Sequence, residues 1–192
     1  MIPVFLNDLS LDSALSSYCV NVGHYIQTSN RNEHVVDLVG RGISCFVNGT
    51  IGQTEDEEQK FFAVDTPKNK DFALLQLDHG MLPDTISKCD CAIVDDADCS
   101  FVEFKANATS TNTKTVRGNY RKAMRQLTKT IRLFRDESVN IGKDFDSLRH
   151  LEAFICFRRG YPQHTASEAN YRVTFWDENH VELSFEPKKI LN

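Results

Sequence analysis

Residues 88–107 read KCDCAIVDDADCSFVEFKAN. Two runs rich in apolar residues, 89–94 and 99–106, flank the polar tetrapeptide DDAD, which predicts two strands joined by a tight turn. A turn centred between Asp96 and Ala97 pairs residues whose numbers sum to 193, whether the loop has two residues or four. Cys89 then faces Phe104, Cys91 faces Val102 and Ile93 faces Ser100, so one side of the hairpin is mostly apolar. On the other side Asp90 lies opposite Glu103 and Ala92 opposite Phe101, and Lys105 projects from the same face two residues beyond Glu103. A three-residue loop would shift the register by one and separate these groups.

Opposed residues of this kind have Cβ atoms about 5 Å apart, and like charges there are destabilising. An uncompensated Asp–Glu pair raises one carboxyl pKa or loosens the strands. A divalent cation removes the conflict, because hard cations take oxygen ligands from carboxylates and carbonyls. The alternative is a hairpin at the sheet edge whose charged face meets solvent.

Outward from the hairpin, apolar spacing predicts a helix over 9–27 (Leu11, Leu15, Tyr18, Val22, Tyr25) and a short second helix over 32–40. Strands are expected at 43–47, 61–64 and 72–77, with an acidic loop at 48–60. A long helix spans 114–135 through Tyr120, Ala123, Leu127, Ile131 and Phe134. A buried strand follows at 151–157, and alternation in YRVTFW and HVELSFE predicts a C-terminal hairpin over 171–186. The expectation is a single α/β domain over 1–192, a sandwich with a mixed sheet around one core.

The pattern Asp90-x12-Glu103-Phe104-Lys105, ahead of a long helix and a further strand, resembles the PD-(D/E)xK nuclease superfamily, the restriction-endonuclease-like fold. The resemblance spans residues 70 to 157, and Cys89 stands where that family often has proline. It implies an α-β-β-β-α-β core over about 30–157, with Asp90, Glu103 and Lys105 as catalytic residues. It further implies Mg²⁺ or Mn²⁺ held by Asp90, Glu103 and the Phe104 carbonyl, with Lys105 orienting or deprotonating the attacking water. Many members add a carboxylate from the first helix, for which Glu33 and Asp37, one helical turn apart, are the candidates, Glu33 being taken as the ligand. Phosphodiester hydrolysis suits such a set, since a bound cation activates water and offsets phosphate charge.

From 107 to 135 there is no acidic residue but eight basic ones, although the whole chain carries a net charge of −5. Arg117, Arg121, Arg125 and Arg132, with Lys114 and Arg135, fall on one helical line away from the apolar stripe. A single-sign stripe on an acidic protein is the footprint of a polyanion, here nucleic acid, DNA in preference to RNA. Gln126 lies at the stripe's edge as a substrate-positioning candidate, and the polar residues 107–112 offer hydrogen bonds to phosphate.

Composition is that of a globular protein, with 41% apolar and 26% charged residues. No basic leader or long apolar run predicts secretion or membrane insertion, so the chain reads as cytoplasmic. The six cysteines lack CxxC spacing and read as buried apolar side chains rather than a zinc site. A homodimer is compatible with the sequence. Two other functions compete with a nuclease: the same fold with a weakened site, binding nucleic acid or a partner without cleavage, and an interaction protein docking a basic partner through EDEE at 55–58.

Overall fold

The computed structural model describes residues 3–38, 43–47, 61–105, 108–158, 161 and 165–192. The acidic loop at 48–60, and with it the 55–58 segment, lies outside the described residues, as does Asn107.

The chain builds a mixed α/β structure on two mixed sheets. Its strands are β1 (Ile26–Ser29), β2 (Glu33–Leu38), β3 (Ile43–Phe46), β4 (Phe61–Asp65), β5 (Phe72–Gln76), β6 (Cys91–Val94), β7 (Asp98–Lys105), β8 (His150–Phe157), β9 (Glu182–Ser184) and β10 (Lys188–Ile190). Six of them form one sheet in the order β1-β5-β6-β7-β8-β9, and the others form a second in the order β10-β4-β2-β3. The helices are α1 (Leu11–Ala14), α2 (Thr113–Asn140), α3 (Phe145–Leu148) and α4 (Thr165–Asn179).

The central hairpin has the expected register. Cys91 pairs with Val102, Ala92 with Phe101, Ile93 with Ser100 and Val94 with Cys99. The turn is held by Asp95, whose Oδ1 accepts the amides of Ala97 and Asp98, each at 2.7 Å. β7 also pairs along its whole length with β8, in parallel. It is therefore an interior strand with both faces covered, and the reading of a solvent-facing edge hairpin is excluded.

The sheet separates two apolar clusters. Ala92, Phe101, Ala153 and Ile155 face α2, which contributes Tyr120, Ala123, Leu127, Ile131 and Phe134. Cys91, Val102, Phe104 and Phe154 face the second sheet, which brings Val35, Phe62 and Val64. The expected single core is thus two half-cores, one on each face of the six-stranded sheet. Asn112 starts α2 by accepting the amides of Lys114 at 3.0 Å and Thr115 at 3.3 Å, so its side chain serves as an N-cap.

Three sequence expectations need correction. The helix over 9–27 breaks into a 3-10 turn at Val4–Leu9, the single turn α1, and another 3-10 turn at Val22–Tyr25. The helix expected over 32–40 is replaced, as far as the described residues go, by β2, which pairs antiparallel with both β3 and β4. A short run such as EHVVDL fits a buried strand as readily as a helix, and distant partners decide. The C-terminal hairpin is absent, because 171–176 belong to α4. There Phe175 and Asn179, one turn apart, are the buried positions, and Tyr171 completes the stripe. β9 then joins β8 and β10 crosses to β4 in the other sheet, so the two tail strands do not pair with each other.

Candidate metal centre

At the start of β6 the ladder stops at Cys91, leaving Asp90 just outside it. The Asp90 amide donates to the Val102 carbonyl at 3.2 Å, although Val102 is already the partner of Cys91. Two consecutive residues thus address one, as at a β-bulge, which re-aims a side chain. The Asp90 carbonyl accepts the amides of Leu77 at 3.1 Å and Asp78 at 3.0 Å, pinning the bulge to the turn after β5. Its carboxylate swings back to β7, where Oδ2 accepts the Phe104 amide at 2.5 Å.

In an uninterrupted ladder Phe104 would exchange backbone bonds with Cys89. Instead the Cys89 amide donates to Thr130 Oγ1 on α2 at 2.8 Å. The Phe104 carbonyl points the same way as its amide and so loses its ladder donor. Among the described residues its remaining donor is Lys105 Nζ, 3.4 Å away. The bulge therefore brings together a carboxylate and a main-chain carbonyl released from the ladder.

Glu103 projects from the α2 side of β7 and is 1% exposed. Its Oε1 contacts Lys105 Nζ. Its Oε2 is buried with no hydrogen-bond partner among the described residues. Such an oxygen is costly, because a buried acceptor without a donor keeps its full desolvation penalty. Another strand acid shows the contrast: Glu152 on β8 accepts from Ser100 Oγ at 2.8 Å and also contacts Lys189 Nζ. Lys105 Nζ completes its contacts with Gln126 Oε1 at 3.2 Å, and Gln126 Nε2 donates to the Lys88 carbonyl at 2.9 Å.

Electrostatics follow from burial. Desolvation raises Asp90 to about 7; the Phe104 amide bond opposes the rise and the Asp37 charge adds to it. Burial, and then the charge of Asp90, push Glu103 well above the ordinary carboxylate range, with Lys105 opposing. Asp37, on β2, is also raised, by burial and then by Asp78, and lowered by Lys105. Ionised together, these three carboxylates would carry more charge than Lys105 alone neutralises. An all-oxygen donor set with one orphaned buried oxygen suits a hard divalent cation, so the residues present fit the group that the sequence pattern implied.

Asp90, Glu103, Phe104 and Lys105 come together, with Gln126 behind Lys105, but the bulge replaces the expected direct pairs Asp90–Glu103 and Cys89–Phe104. Glu33 does not join them. It lies on β2 rather than a helix, and its Oε1 accepts from Ser29 Oγ at 2.7 Å and Arg31 Nε at 3.0 Å in the β1–β2 turn. Asp37, four residues along the same strand, instead lines a cavity of about 370 Å³ with Phe104, Lys105, Thr109, Thr115 and Asn119. Of the two acids that the sequence offered on this segment, Asp37 lines the cavity and Glu33 does not, because a strand rather than a helix spaces them along its length. Thr130 was missed altogether. Its signal was a hydroxyl within the apolar stripe of α2, one turn from Gln126.

A second set of ligand atoms, from Asp78, His79 and Asp84, lies within 4.8 Å of one another. Lys88 Nζ already sits 2.8 Å from Asp78 and 3.4 Å from Asp84, so an ammonium supplies the cation there.

The basic stripe of α2 divides in two. Arg132 pairs with Glu178 at 3.0 Å, and Arg135 grips both oxygens of Asp146, at 2.8 and 2.7 Å. Lys114, Arg117, Arg121 and Arg125 are exposed and make no ion pair among the described residues. Among the described residues no helix is long and apolar enough to cross a membrane. Compared with known protein families, curated proteins and solved structures, the chain matches none.

Proposed function

We propose that this protein is a divalent-cation-dependent nuclease of the PD-(D/E)xK kind, with a restriction-endonuclease-like core formed by β5, β6, β7, α2 and β8. The observation that carries the reading is the orphaned Glu103 Oε2, buried on an interior strand beside Asp90 and Lys105. Asp90, Glu103 and the Phe104 carbonyl would hold Mg²⁺ or Mn²⁺. Such a cation supplies an activated water and offsets charge on the scissile phosphate.

The chain's own groups do the rest. Lys105, steadied by Gln126, presents a compact ammonium to the water or to a phosphate oxygen. Hydroxyls of Thr109 and Thr115 and the Asn119 amide line the adjoining cavity and offer donors to the phosphate backbone. The unpaired half of the α2 stripe attracts nucleic acid, DNA being the substrate proposed. One contact favours a second reading: Lys105 meets Glu103 directly, which partly neutralises the site without a metal. On that reading the module binds nucleic acid or a protein partner without cutting.

Titration of free Mn²⁺ by electron paramagnetic resonance, alongside cleavage assays on plasmid and single-stranded DNA, separates these readings. Wild type should bind Mn²⁺ and cleave, Glu103→Gln should lose both, and Lys105→Ala should bind Mn²⁺ but lose several orders of magnitude in rate. Binding without cleavage selects the second reading. No Mn²⁺ binding by wild type rejects the cation site.

A further inference from the structure

The residues that precede Asp90 leave the ladder and are held by one edge of α2. Thr130 Oγ1 accepts the Cys89 amide at 2.8 Å and donates to the Gln126 carbonyl at 3.0 Å. Gln126 Nε2 in turn takes the Lys88 carbonyl at 2.9 Å. The two side chains stand four residues apart and so share one helical face. Between them they satisfy both ends of the Lys88–Cys89 peptide group, including the Cys89 amide that the broken ladder would otherwise leave unpaired.

Packing does not explain the hydroxyl. Thr130 is 1% exposed, flanked on the helix by Leu127, Ile131 and Phe134, where valine has the same shape. A threonine that back-bonds to the fourth preceding carbonyl slightly destabilises its own helix. What the hydroxyl provides is an acceptor for Cys89. Without it, the acceptor that the register offers Cys89 is the Phe104 carbonyl, and the Cys89 carbonyl would compete for the Phe104 amide now bound to Asp90. Regularising the ladder would therefore consume the released Phe104 carbonyl and displace the carboxylate together.

We propose that Thr130 is a positioning residue of the candidate centre: it keeps Cys89 out of the ladder so that the Asp90 carboxylate and the Phe104 carbonyl address the same point. The proposal rests on the reading of that centre as a cation site. Its consequence for the main chain can nonetheless be measured with no metal present.

The test compares full-length wild type, Thr130→Val and Thr130→Ser by ¹H–¹⁵N spectroscopy in EDTA, followed by Mn²⁺ titration. A short bond to a carboxylate should place the Phe104 amide proton far downfield and slow its exchange. Thr130→Ser should retain that signature and bind Mn²⁺ as wild type does. Thr130→Val should move the Phe104 signal upfield, speed its exchange, and weaken Mn²⁺ binding about ten- to hundredfold, the usual cost of losing an outer-shell partner. An unmoved Phe104 signal in Thr130→Val, or a serine variant as damaged as the valine one, overturns the proposal. If wild type binds no Mn²⁺, the cation reading falls, and the Phe104 signal alone decides whether Thr130 positions Asp90. Should the valine variant not fold, Thr130→Ala replaces it under the same criteria.

Discussion

An Asp90→Asn substitution removes one partly buried negative charge while keeping an oxygen for the Phe104 amide. In the folded protein burial raises the Asp90 pKa from 3.8 to about 7. The unfolded chain therefore releases this proton at lower pH than the folded one, and stability falls as pH rises from about 4 to about 7. Each unit corresponds to about 1.4 kcal/mol, so the charged carboxylate costs the cation-free fold about 4 kcal/mol at pH 8. At pH 4.5 Asp90 is protonated in the folded state, and the same relation leaves a cost of about 1 kcal/mol. The amide oxygen is a weaker acceptor than a carboxylate, which returns about 1 kcal/mol of the gain. The variant should therefore be more stable than wild type by about 3 kcal/mol at pH 8 and nearly equal to it at pH 4.5. For a chain of this size that is a rise in melting temperature of roughly 6 to 12 °C. Thermal and urea melts in EDTA at the two pH values measure it. Saturating Mg²⁺ should narrow the gap at pH 8 by stabilising wild type alone, as any ligand of the native state does. An Asp90→Asn protein that is destabilised equally at both pH values would falsify the account of a strained, charged carboxylate.

The α2 stripe gives a second prediction: Arg121→Ala with Arg125→Ala should weaken nucleic-acid binding regardless of sequence. The slope of log K against log salt should flatten by about 1.8 for duplex DNA, because each lost phosphate contact is worth about 0.9. Unchanged affinity across two salt concentrations would return the helix to solvated surface. Arg149 is a structural counterpart: its guanidinium donates to both oxygens of Asp8, at 2.7 and 2.8 Å, and to the carbonyls of Phe5, Asp95 and Leu148. Arg149→Met should cost about 3 kcal/mol, since it leaves buried carbonyls unsatisfied; a loss under 1 kcal/mol in urea melts would contradict that. The same change should leave Mn²⁺ affinity intact.

What was legible in the sequence was local. The 88–107 hairpin announced its register because a period of two leaves one choice once the turn is placed, and Asp95 fixes that turn within four residues. α2 was legible because an apolar stripe at helical spacing continues through its length. From these alone Asp90, Glu103 and Lys105 could be put on one hairpin, and Arg121 and Arg125 on one face.

Tertiary structure decided the rest. EHVVDL became a strand only because β3 and β4 lie on either side of it, and with that change the acid directed at the site became Asp37 rather than Glu33. YRVTFW alternates like a strand yet is helical, since a buried Phe175 and Asn179 one turn apart outweigh local preference. Whether the hairpin was edge or interior depended on β8, about fifty residues further along the chain. The bulge at Asp90 has no signature of its own in the sequence. It exists because Thr130, brought in by a distant helix, takes the Cys89 amide that a regular ladder would have claimed, while Gln126 holds the carbonyl of the same peptide group. Short-range periodicity sets which face a side chain takes, but the partner of each buried polar group is chosen by elements that meet only in the folded chain.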